Sequence, residues 1–399
     1  MSTSNAAYLG HRLAERVGEF IALRREIHAH PELAFAEHRT AALVARKLGE
    51  WGYTVSTGLG GTGVVGTLKR GTSQRTVGLR ADMDALPMAE ATGREWASQI
   101  PGVMHACGHD GHTATLLAAA RHIAEHVSFD GTLHLIFQPA EEGAAGAVRM
   151  MEDGLFERFP CDTIYALHNM PGVQAGHFTF RAGPTMASSD NVTITLQGVG
   201  GHGAMPHTSA DPLVAAAAIV MALQTIVARN VDPLHTAVVT VGALQAGQAN
   251  NVIPDRAVMK LSVRALDPQV RVLLKQRIHE LVTQQASSFR VKSDIDWQDG
   301  YAVLVNDAAC TALATAVATR LFGSGRVTPQ GAPITASEDF AFMLQRVPGC
   351  YFFIGNGATG TPGGCMVHNP GYDFNDDLIA DGAAFWCALV SEVLAPAQA

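Results

Sequence analysis

Charged residues are scarce in this 399-residue chain: Asp, Glu, Lys and Arg make up 16% of it, against about a quarter in ordinary soluble domains. Hydrophobic residues make up 47%, so the chain has ample material for a core, and this composition excludes intrinsic disorder. The 28 basic residues are outnumbered by 36 acidic ones, which gives a net charge of −8, and no basic cluster forms. A nucleic-acid partner is therefore not expected.

Long apolar runs and paired cysteines are also missing. The longest apolar run, Leu213–Leu223, has eleven residues and is short of the roughly 20 that cross a membrane, so it predicts a buried helix. The stretch Met1–Glu19 lacks the basic and apolar regions of a signal peptide. The six cysteines show no disulfide-like spacing. We expect a cytoplasmic protein with reduced thiols and no membrane contact.

The order of helical and strand-like segments predicts an α/β protein with an inserted domain. Up to about residue 180, helical periodicity alternates with short apolar strands, which favours a mostly parallel sheet flanked by helices. The pattern changes near Gly183-Pro184 to a smaller α+β run of order β-α-β-β-α, and the first pattern resumes after Trp297. We therefore predict a discontinuous main domain over 1–185 and 297–399 and an insert over 186–296. The predicted helices are His11–Ala29, Glu37–Trp51, His112–His126, Pro212–Arg229, Gln269–Ser287 and Ala308–Leu321. The predicted strands are Thr76–Arg80, Thr132–Phe137, Thr163–Leu167, Asn191–Gln197, Thr236–Leu244, Ala257–Leu266 and Cys350–Gly355.

A glycine-rich stretch, Gly58–Gly63, matches the G-x-G-x-x-G pattern of dinucleotide-binding proteins, and Asp82 follows at a suitable distance. Pyrophosphate binding needs a helix to begin directly after the glycines. Val64–Lys69 has a strand pattern instead. We predict strand–turn–strand here and no nucleotide site.

Histidine is abundant, with 17 residues, and several histidines lie beside acidic residues and a cysteine. Open α/β sheets form their sites at the carboxyl ends of their strands, so ligands from several such ends meet in space. His368 lies in a loop near the end of the chain and could join them. The segments that place ligand-type side chains after predicted strands are Leu79–Asp84, His105–His112, Phe137–Gly143 and Tyr165–Asn169.

Each of these residues has an ordinary structural interpretation when taken alone. A single histidine is more often structural, Glu141-Glu142 could be a solvated pair, and Cys107 could be a small buried hydrophobe. The set as a whole favours a metal site. Cys107 and His109 offer a thiolate and an imidazole within three residues, which suits zinc and related ions. His168 follows an apolar strand, where an unpaired imidazole would be costly to bury.

The motifs together resemble the metal-dependent aminoacylase and hippurate-hydrolase amidohydrolases, which include hydrolases of N-acyl and indole-acetyl amino acids and are related to carboxypeptidase-type metallopeptidases. The resemblance runs in order from about Leu23 to Asp377 and is specific for the family but not for the substrate. It is carried by Arg80-Ala-Asp-Met-Asp-Ala-Leu-Pro87, His105-Ala-Cys-Gly-His-Asp-Gly-His112, Phe137-Gln-Pro-Ala-Glu-Glu142, Gly200-Gly-His-Gly-Ala-Met-Pro-His207 and Ser337-Glu-Asp-Phe340.

The resemblance implies a catalytic main domain with two divalent metal ions that share one thiolate. Zn or Mn are the expected ions, and Co or Ni also suit mixed sulfur, nitrogen and oxygen ligands. Glu141 matches the general base, and Asp84 matches an acid that orients a ligand. Asp82 stands where carboxypeptidase-type relatives have a ligand histidine, which leaves the second ion's ligand set open. The implied ligands are Cys107, His109, Glu142, His168 and His368.

The insert is implied to serve as lid and dimerisation domain, and its residues are implied to complete the active site of the other subunit. His202 would stabilise the developing oxyanion, and Asn251 and Arg264 would bind the substrate carboxylate. Taken alone, these residues could equally be a turn histidine, a strand-end asparagine and a surface arginine. We expect a homodimer formed through this domain.

The predicted function is hydrolysis of the amide bond of small N-acyl-amino acids of the hippurate or N-acetyl type. Water would attack the amide carbonyl, with Glu141 as base and then as acid. The chain has no Gly-x-Ser-x-Gly motif, so a serine nucleophile is not expected. A dipeptidase or carboxypeptidase on the same metal centre is the alternative. A non-catalytic metal-binding relative is a third possibility, against which the presence of Glu141 argues.

Overall fold

The computed structural model describes residues 15–396. The first residues of a helix predicted from the pattern of His11–Ala29, and most of the Met1–Glu19 stretch, lie outside the described residues. Two compact units divide the chain. We call residues 1–183, 306–332 and 342–399 the main unit, and residues 184–305 and 333–341 the insert unit.

The helices and strands are numbered in chain order. The helices are α1 Val17–Ala29, α2 His38–Glu50, α3 His109–His126, α4 Glu141–Ala144, α5 Gly146–Glu152, α6 Leu155–Arg158, α7 Pro212–Arg229, α8 Pro268–Ser288, α9 Ala308–Phe322, α10 Phe340–Leu344 and α11 Leu378–Val393. The strands are β1 Thr54–Leu59, β2 Gly63–Arg70, β3 Thr76–Asp82, β4 Gly131–Gln138, β5 Thr163–Gly172, β6 Phe178–Thr179, β7 Gly183–Met186, β8 Ser188–Gln197, β9 Gly201–His202, β10 Ala237–Ala246, β11 Val252–Ile253, β12 Arg256–Ala265, β13 Lys292–Asp299, β14 Leu304–Asn306, β15 Val327–Thr328 and β16 Gly349–Ala358.

The main unit contains an eight-stranded sheet of order β1-β2-β4-β3-β5-β16-β6-β15 within residues 15–396. Its central strands β4, β3, β5 and β16 run parallel. Helices α1, α3 and α11 contribute to the buried apolar core. The predicted mixed α/β architecture, with a large and mostly parallel sheet, is confirmed. The segment Gly58–Gly63 is the turn between the antiparallel strands β1 and β2, as predicted.

Strand β5 is longer than the sequence pattern indicated, and this determines where His168 lies. The predicted strand ended at Leu167, but β5 continues to Gly172 because it pairs with β16 over its whole length. Its pairing with β3 stops at Ala166. His168 therefore lies inside a strand, just beyond the last pair with β3, so the prediction that it ends the strand is wrong.

The insert unit has an antiparallel sheet of order β10-β12-β8-β13, and α7 and α8 pack in the same apolar cluster as its strands. Both helices begin at an aspartate that accepts backbone N–H bonds and is followed by proline, a favourable helix start. The predicted order β-α-β-β-α misses the last strand, β13. The predicted bound at residue 296 falls inside β13, whereas the compact unit extends to 305 and includes 333–341.

Helix α7 is long and apolar enough to cross a membrane when judged by length and composition alone. One side of it is buried in the core of the insert unit, through residues such as Ala215, Ile219 and Leu223. Leu213 and Met221 are exposed. These contacts are those of a core helix.

Candidate metal centre

A buried carboxylate, Asp84, connects the turn after β4 with the start of α3. Its Oδ1 accepts the backbone N–H of Glu141 at 3.0 Å, and its Oδ2 accepts that of Glu142 at 2.9 Å. Its Oδ1 also lies 3.2 Å from Nδ1 of His109. Because Asp84 follows β3, its side chain connects a third segment to the two that carry these ligand-type residues, the turn with Glu141 and Glu142 and the start of α3 with His109.

The hydrogen bond from His109 to Asp84 determines which ring nitrogen is available. In the neutral imidazole that binds a metal ion, the Nδ1 proton is donated to Asp84 and Nε2 carries the lone pair. His109 Nε2 is buried without a hydrogen-bond partner among the described residues and lies 3.7 Å from Asp82 and 4.0 Å from Glu142. Burial lowers the pKa of His109, but Asp82 and Asp84 outweigh this effect and raise the pKa to about 10. The acidic surroundings therefore favour a positive charge at this point.

Two further pairs complete the cluster. Cys107 Sγ lies 3.4 Å from Nε2 of His168, and His368 Nε2 lies 3.1 Å from Oε1 of Glu142. The His368 loop is fixed beside Cys107, because the His368 N–H donates to the carbonyl of Ala106 at 2.8 Å. These contacts bring together residues that are far apart in the sequence, such as Glu142 and His368, which are 226 positions apart.

Potential ligand atoms form two groups that share Cys107. Cys107, His109 and His168 form one group and Cys107, Glu142 and His368 the other, with the atoms of each group within 4.8 Å of one another. Burial first, and then the charges of Glu142 and Glu141, raise the pKa of the Cys107 thiol, which a nearby cation would offset. The unpartnered Nε2 of His109 and the sulfur, nitrogen and oxygen donors fit divalent cations of the zinc and manganese type. This cluster could hold two ions with the thiolate between them.

Glycine is required between Cys107 and His109. Gly108 has φ +94°, and a Cβ there would collide with the side chains of Asn169 and Tyr372. The chain therefore turns tightly enough to place Cys107 and His109 in the same cluster only with glycine at this position.

Asp82, whose role the sequence leaves open, is fully buried and takes part in an ion pair. Arg80 Nη1 donates to its Oδ2 at 2.7 Å, and its Oδ1 lies 2.6 Å from Nδ1 of His112. His112 in turn contacts Asn169 Oδ1 at 2.7 Å. Burial would raise the pKa of Asp82, but His109, Arg80 and His112 together hold it well below its usual range. Asp82 is thus an anion at the edge of the cluster, and our sequence reasoning missed the roles of Arg80 and His112.

A second buried ionic cluster, which was not predicted from the sequence, connects α1 to two segments that contain ligand-type residues. Arg24 lies 2.7 Å from Asp110, which follows His109, and 2.6 Å from Asp373 in the loop that follows His368. His28 lies one helical turn after Arg24 and contacts Asp110 at 2.8 Å. The available signal was the helical spacing of these two residues, which places both on the buried face of α1.

The remaining predicted site residues lie in the insert unit. His202 in β9 is exposed and pairs with Val252 of β11, and the carbonyl of the adjacent Asn251 accepts the N–H of Gly203 at 2.8 Å. Arg264 in β12 is half-buried and donates to Ser337 Oγ at 3.0 Å. Burial lowers the pKa of its guanidinium. His202 and Ser337 belong to two of the motifs noted in the sequence. Each is held by contacts within the insert unit.

The comparison with known proteins bears on this arrangement. Residues 78–392 match the sequence model of peptidase family M20/M25/M40. The chain belongs to this family. As an M20 family protein it is a metal-dependent amidohydrolase, and the predicted family relationship is confirmed.

Individual M20 relatives match over nearly the whole chain. The hippurate hydrolase of Campylobacter jejuni is 45% identical over 377 residues, which cover 94% of this chain and 97% of the relative. The N-acetyl-L-cysteine deacetylase of Bacillus subtilis is 38% identical, covering 92% of this chain and 86% of the relative. A dinuclear metal-binding M20 peptidase of Bacillus subtilis, known by its crystal structure, superposes with a TM-score of 0.83 at 30% identity, covering 96% of this chain and 99% of that one.

Proposed function

We propose that this enzyme hydrolyses the amide bond of small N-acyl-amino acids, of the hippurate or N-acetyl type, with Glu141 as general base and acid. The observation that carries the proposal is the different surroundings of two adjacent glutamates. Glu142 contacts the exposed His368, whereas Glu141 is buried, with a carboxylate oxygen within 4.8 Å of ligand-type atoms of His109 and Glu142. The similarity to a hippurate hydrolase and to an N-acetyl-L-cysteine deacetylase supports the substrate class.

The proposed ligands of two divalent ions are Cys107, His109, Glu142, His168 and His368. When bound, such ions polarise the amide carbonyl and lower the pKa of water. Zn and Mn are the first choices, and Co or Ni would also suit the donor set. Asp84 contributes by orienting His109, and its two bonds to the amides of Glu141 and Glu142 fix the turn that carries the base.

Glu141 is proposed to accept a proton from the attacking water on a carboxylate oxygen and then to deliver it to the nitrogen of the leaving amine. Each transfer leaves the carboxyl group ready for the next, so one residue serves both halves of the reaction. Adjacent side chains leave the backbone in different directions, so Glu141 and Glu142 can take different roles: Glu141 transfers protons and Glu142 binds metal.

Residues of the insert unit are proposed to complete the site in a homodimer. Arg264 offers a planar, bidentate donor for a substrate carboxylate, Asn251 offers an amide, and His202 stabilises the oxyanion. Both edge strands of the insert sheet, β10 and β13, have one unpaired side among the described residues, and Met221 and Leu213 expose apolar surface on α7. These features support self-association through this domain.

A dipeptidase or carboxypeptidase activity on the same centre is the second proposal, because a solved M20 relative is a dinuclear metal-binding peptidase. We place the enzyme in the cytoplasm, and the six cysteines are free in the structure, as reduced thiols would be. The partner is a small-molecule substrate.

The substrate class is tested by assaying hippurate, N-acetyl-amino acids and dipeptides in parallel, with Mn²⁺ or Zn²⁺ added. We expect N-acyl-amino acids with a free carboxylate to be hydrolysed fastest and their amides or esters to be poor substrates. Glu141→Gln should retain its metal and lose about 10²–10⁴-fold in kcat. A loss below about tenfold with the metal retained would exclude Glu141 as the base, and faster hydrolysis of dipeptides would favour the peptidase.

Sharing of the site between subunits is tested by mixing two inactive variants. His202→Ala and Glu141→Gln chains, exchanged into heterodimers, should regain one intact site per dimer. If verified subunit exchange restores no activity, each chain works alone.

A further inference from the structure

We propose that Glu37 is a positioning residue that fixes the turn carrying Glu141 and Glu142, by accepting the backbone N–H of Ala140. The inference rests on the proposed roles of these two glutamates. Glu37 lies 103 residues before Ala140 in the sequence and is completely buried.

The side chain of Glu37 does not cap α2, although its position at the start of that helix would suggest this role. Glu37 stands at the N-cap of α2 but makes no side-chain cap bond there. The side chain of Glu32 caps the helix instead, because it accepts the N–H of Arg39 at 2.8 Å and that of Thr40 at 2.9 Å. The Glu37 carboxylate is directed elsewhere. It accepts the N–H of Phe35 at 3.1 Å and of Ala140 at 2.9 Å, and the hydroxyl of Thr62.

The backbone at Ala140 needs such a restraint. Ala140 has φ +56° and ψ +43°, a left-handed conformation that a residue with a Cβ rarely adopts. Strained backbone of this kind persists only when the surroundings fix it. Ala140 is also fully buried, so its N–H has no access to solvent.

Two carboxylates therefore hold three successive amides. Glu37 accepts from Ala140, and Asp84 accepts from Glu141 and Glu142. Asp84 alone would leave the N–H of Ala140 without a partner, since both of its bonds, like the bond from the Gly146 N–H to the Ala140 carbonyl, lie on the C-terminal side of that group. The Glu37 bond fixes the other side. The direction in which Glu141 leaves the backbone is set by this pair, and a misplacement of about 1 Å in a catalytic group can cost on the order of 10²-fold in rate.

Two substitutions separate the reach of the side chain from its charge. Glu37→Asp keeps the charge but withdraws the carboxylate by one methylene, so it can no longer reach Ala140. Glu37→Gln removes the charge but keeps an oxygen at the same distance, and the Thr62 hydroxyl can turn to accept from the new amide. If Glu37 acts through the position of its side-chain oxygen and not through its charge, Glu37→Asp should be impaired and Glu37→Gln should not. Glu32→Gln is the matched control, because the Glu32 carboxylate accepts the N–H groups of Arg39 and Thr40 and the Thr40 hydroxyl, all of them in α2.

The first readout is amide hydrogen exchange in the metal-free protein, followed on peptides that cover residues 139–143. Glu37→Asp should exchange at least about tenfold faster there, while β3 and β4 exchange as in the unmodified chain. Glu37→Gln and Glu32→Gln should stay within about threefold. In the metal-loaded enzyme, Glu37→Asp should lose about 10–100-fold in kcat with KM changed by less than about threefold.

Three results would overturn the inference: unchanged exchange at 139–143 in Glu37→Asp, faster exchange spread equally over the main sheet, or an impairment of Glu37→Gln as large as that of Glu37→Asp. The exchange result does not depend on activity. If Glu141→Gln were fully active while Glu37→Asp loosened the turn, the proposed function would fail and the positioning role would stand. If Glu141→Gln were inactive and the turn unchanged, the reverse would hold.

Discussion

The main unit and the insert unit bury very different side chains. The main unit encloses charged and histidine residues in and around the metal centre: Arg24, His28, Glu37, Arg80, Asp82, Asp84, His105, His109, Asp110, His112 and Glu141. The core of the insert unit consists of aliphatic residues of β8, β12, α7 and α8. Among the residues described, its buried acidic residues are fewer: Asp190, which is paired bidentately with Arg271 at 2.6 and 2.9 Å, and Glu338 and Asp339 of the segment 333–341.

Buried side chains have different roles in the two units. Removing a charge from water is costly unless partners surround it, so buried ions are kept where they hold something in place. In the main unit, Arg24 and Asp84 each connect segments that bear ligand-type residues. The core of the insert unit is mainly apolar, and burial of this apolar area stabilises it. Damage to the buried ionic contacts of the main unit should therefore affect metal binding and activity, whereas damage to the apolar core of the insert unit should lower stability without changing metal binding.

Cys107→Ser should have the largest effect. The proposed ligand is common to both groups of donor atoms, so its loss should weaken both. Residues that only support ligands cost about 10–100-fold in metal affinity, and we expect a loss above about 100-fold here, with activity falling in parallel. Elemental analysis after dialysis and kcat measure the two effects. Cys161→Ser, a half-buried cysteine of the same unit, is the control, and full metal occupancy with normal rates in Cys107→Ser would contradict the assignment.

Arg24→Ala should lower the free energy of unfolding by about 3–5 kcal/mol, because Asp110 and Asp373 lose the buried cation that they share and keep the ion pairs with His28 and Arg94. It should weaken metal binding as well, since these carboxylates follow His109 and His368. Denaturant unfolding and metal titration measure the two effects. Arg121→Ala removes exposed ion pairs with Glu19 and Glu125 and should cost less than about 1 kcal/mol. Equal effects of the two variants would remove the distinction between buried and exposed pairs.

Leu274→Ala in α8 tests the expectation that the core of the insert unit contributes to stability and not to metal binding. Leu274 is fully buried in the insert core, and truncation should cost about 2–5 kcal/mol of stability. The number of bound metal ions and their affinity should not change. Val272→Ala on the same helix, where the side chain is 67% exposed, should cost less than about 0.5 kcal/mol. A change in metal affinity in Leu274→Ala would show that the two units are not energetically separate.

His134 in β4 gives a pH dependence of stability, with an effect that is nearly absent at neutral pH. Burial lowers the pKa of its imidazole to about 4. Below pH 6.5 the unfolded chain takes up a proton that the folded chain does not, so stability falls as the pH falls, until the folded state also protonates near pH 4. The slope is about 1.4 kcal/mol for each pH unit in this window.

His134→Gln should reduce that slope in metal-free protein, with the glutamine still able to bond Thr67, which contacts His134 at 2.9 Å. Thermal unfolding between pH 4 and 6.5 measures it. His235→Gln, at an exposed position of the insert unit, serves as the control. An unchanged slope in His134→Gln would mean that this imidazole is protonated equally in both states.

The local pattern of apolar residues determined much of the secondary structure of this protein. The helix Pro212–Arg229 is found as predicted, and the predicted strands all exist, because periodicity of apolar residues depends on near neighbours in the chain. The sequence also placed ligand-type residues after β3 and β4, where parallel strands bring their ends together. The extent of β5 was not predictable in this way, since it depends on pairing with β16.

Only the tertiary structure decided which partners meet. Arg24 contacts Asp373 across 349 residues, Glu37 contacts Ala140 across 103, and His112 pairs with Asp82 across 30. None of these pairs has a local signature, because a charged side chain looks the same in a sequence whether it is solvated or buried against an ion. The residue types and the strand order predicted a metal centre at the sheet edge. The side chains that hold it in place are defined by long-range burial, which removes water and leaves each charge dependent on a partner distant in the chain.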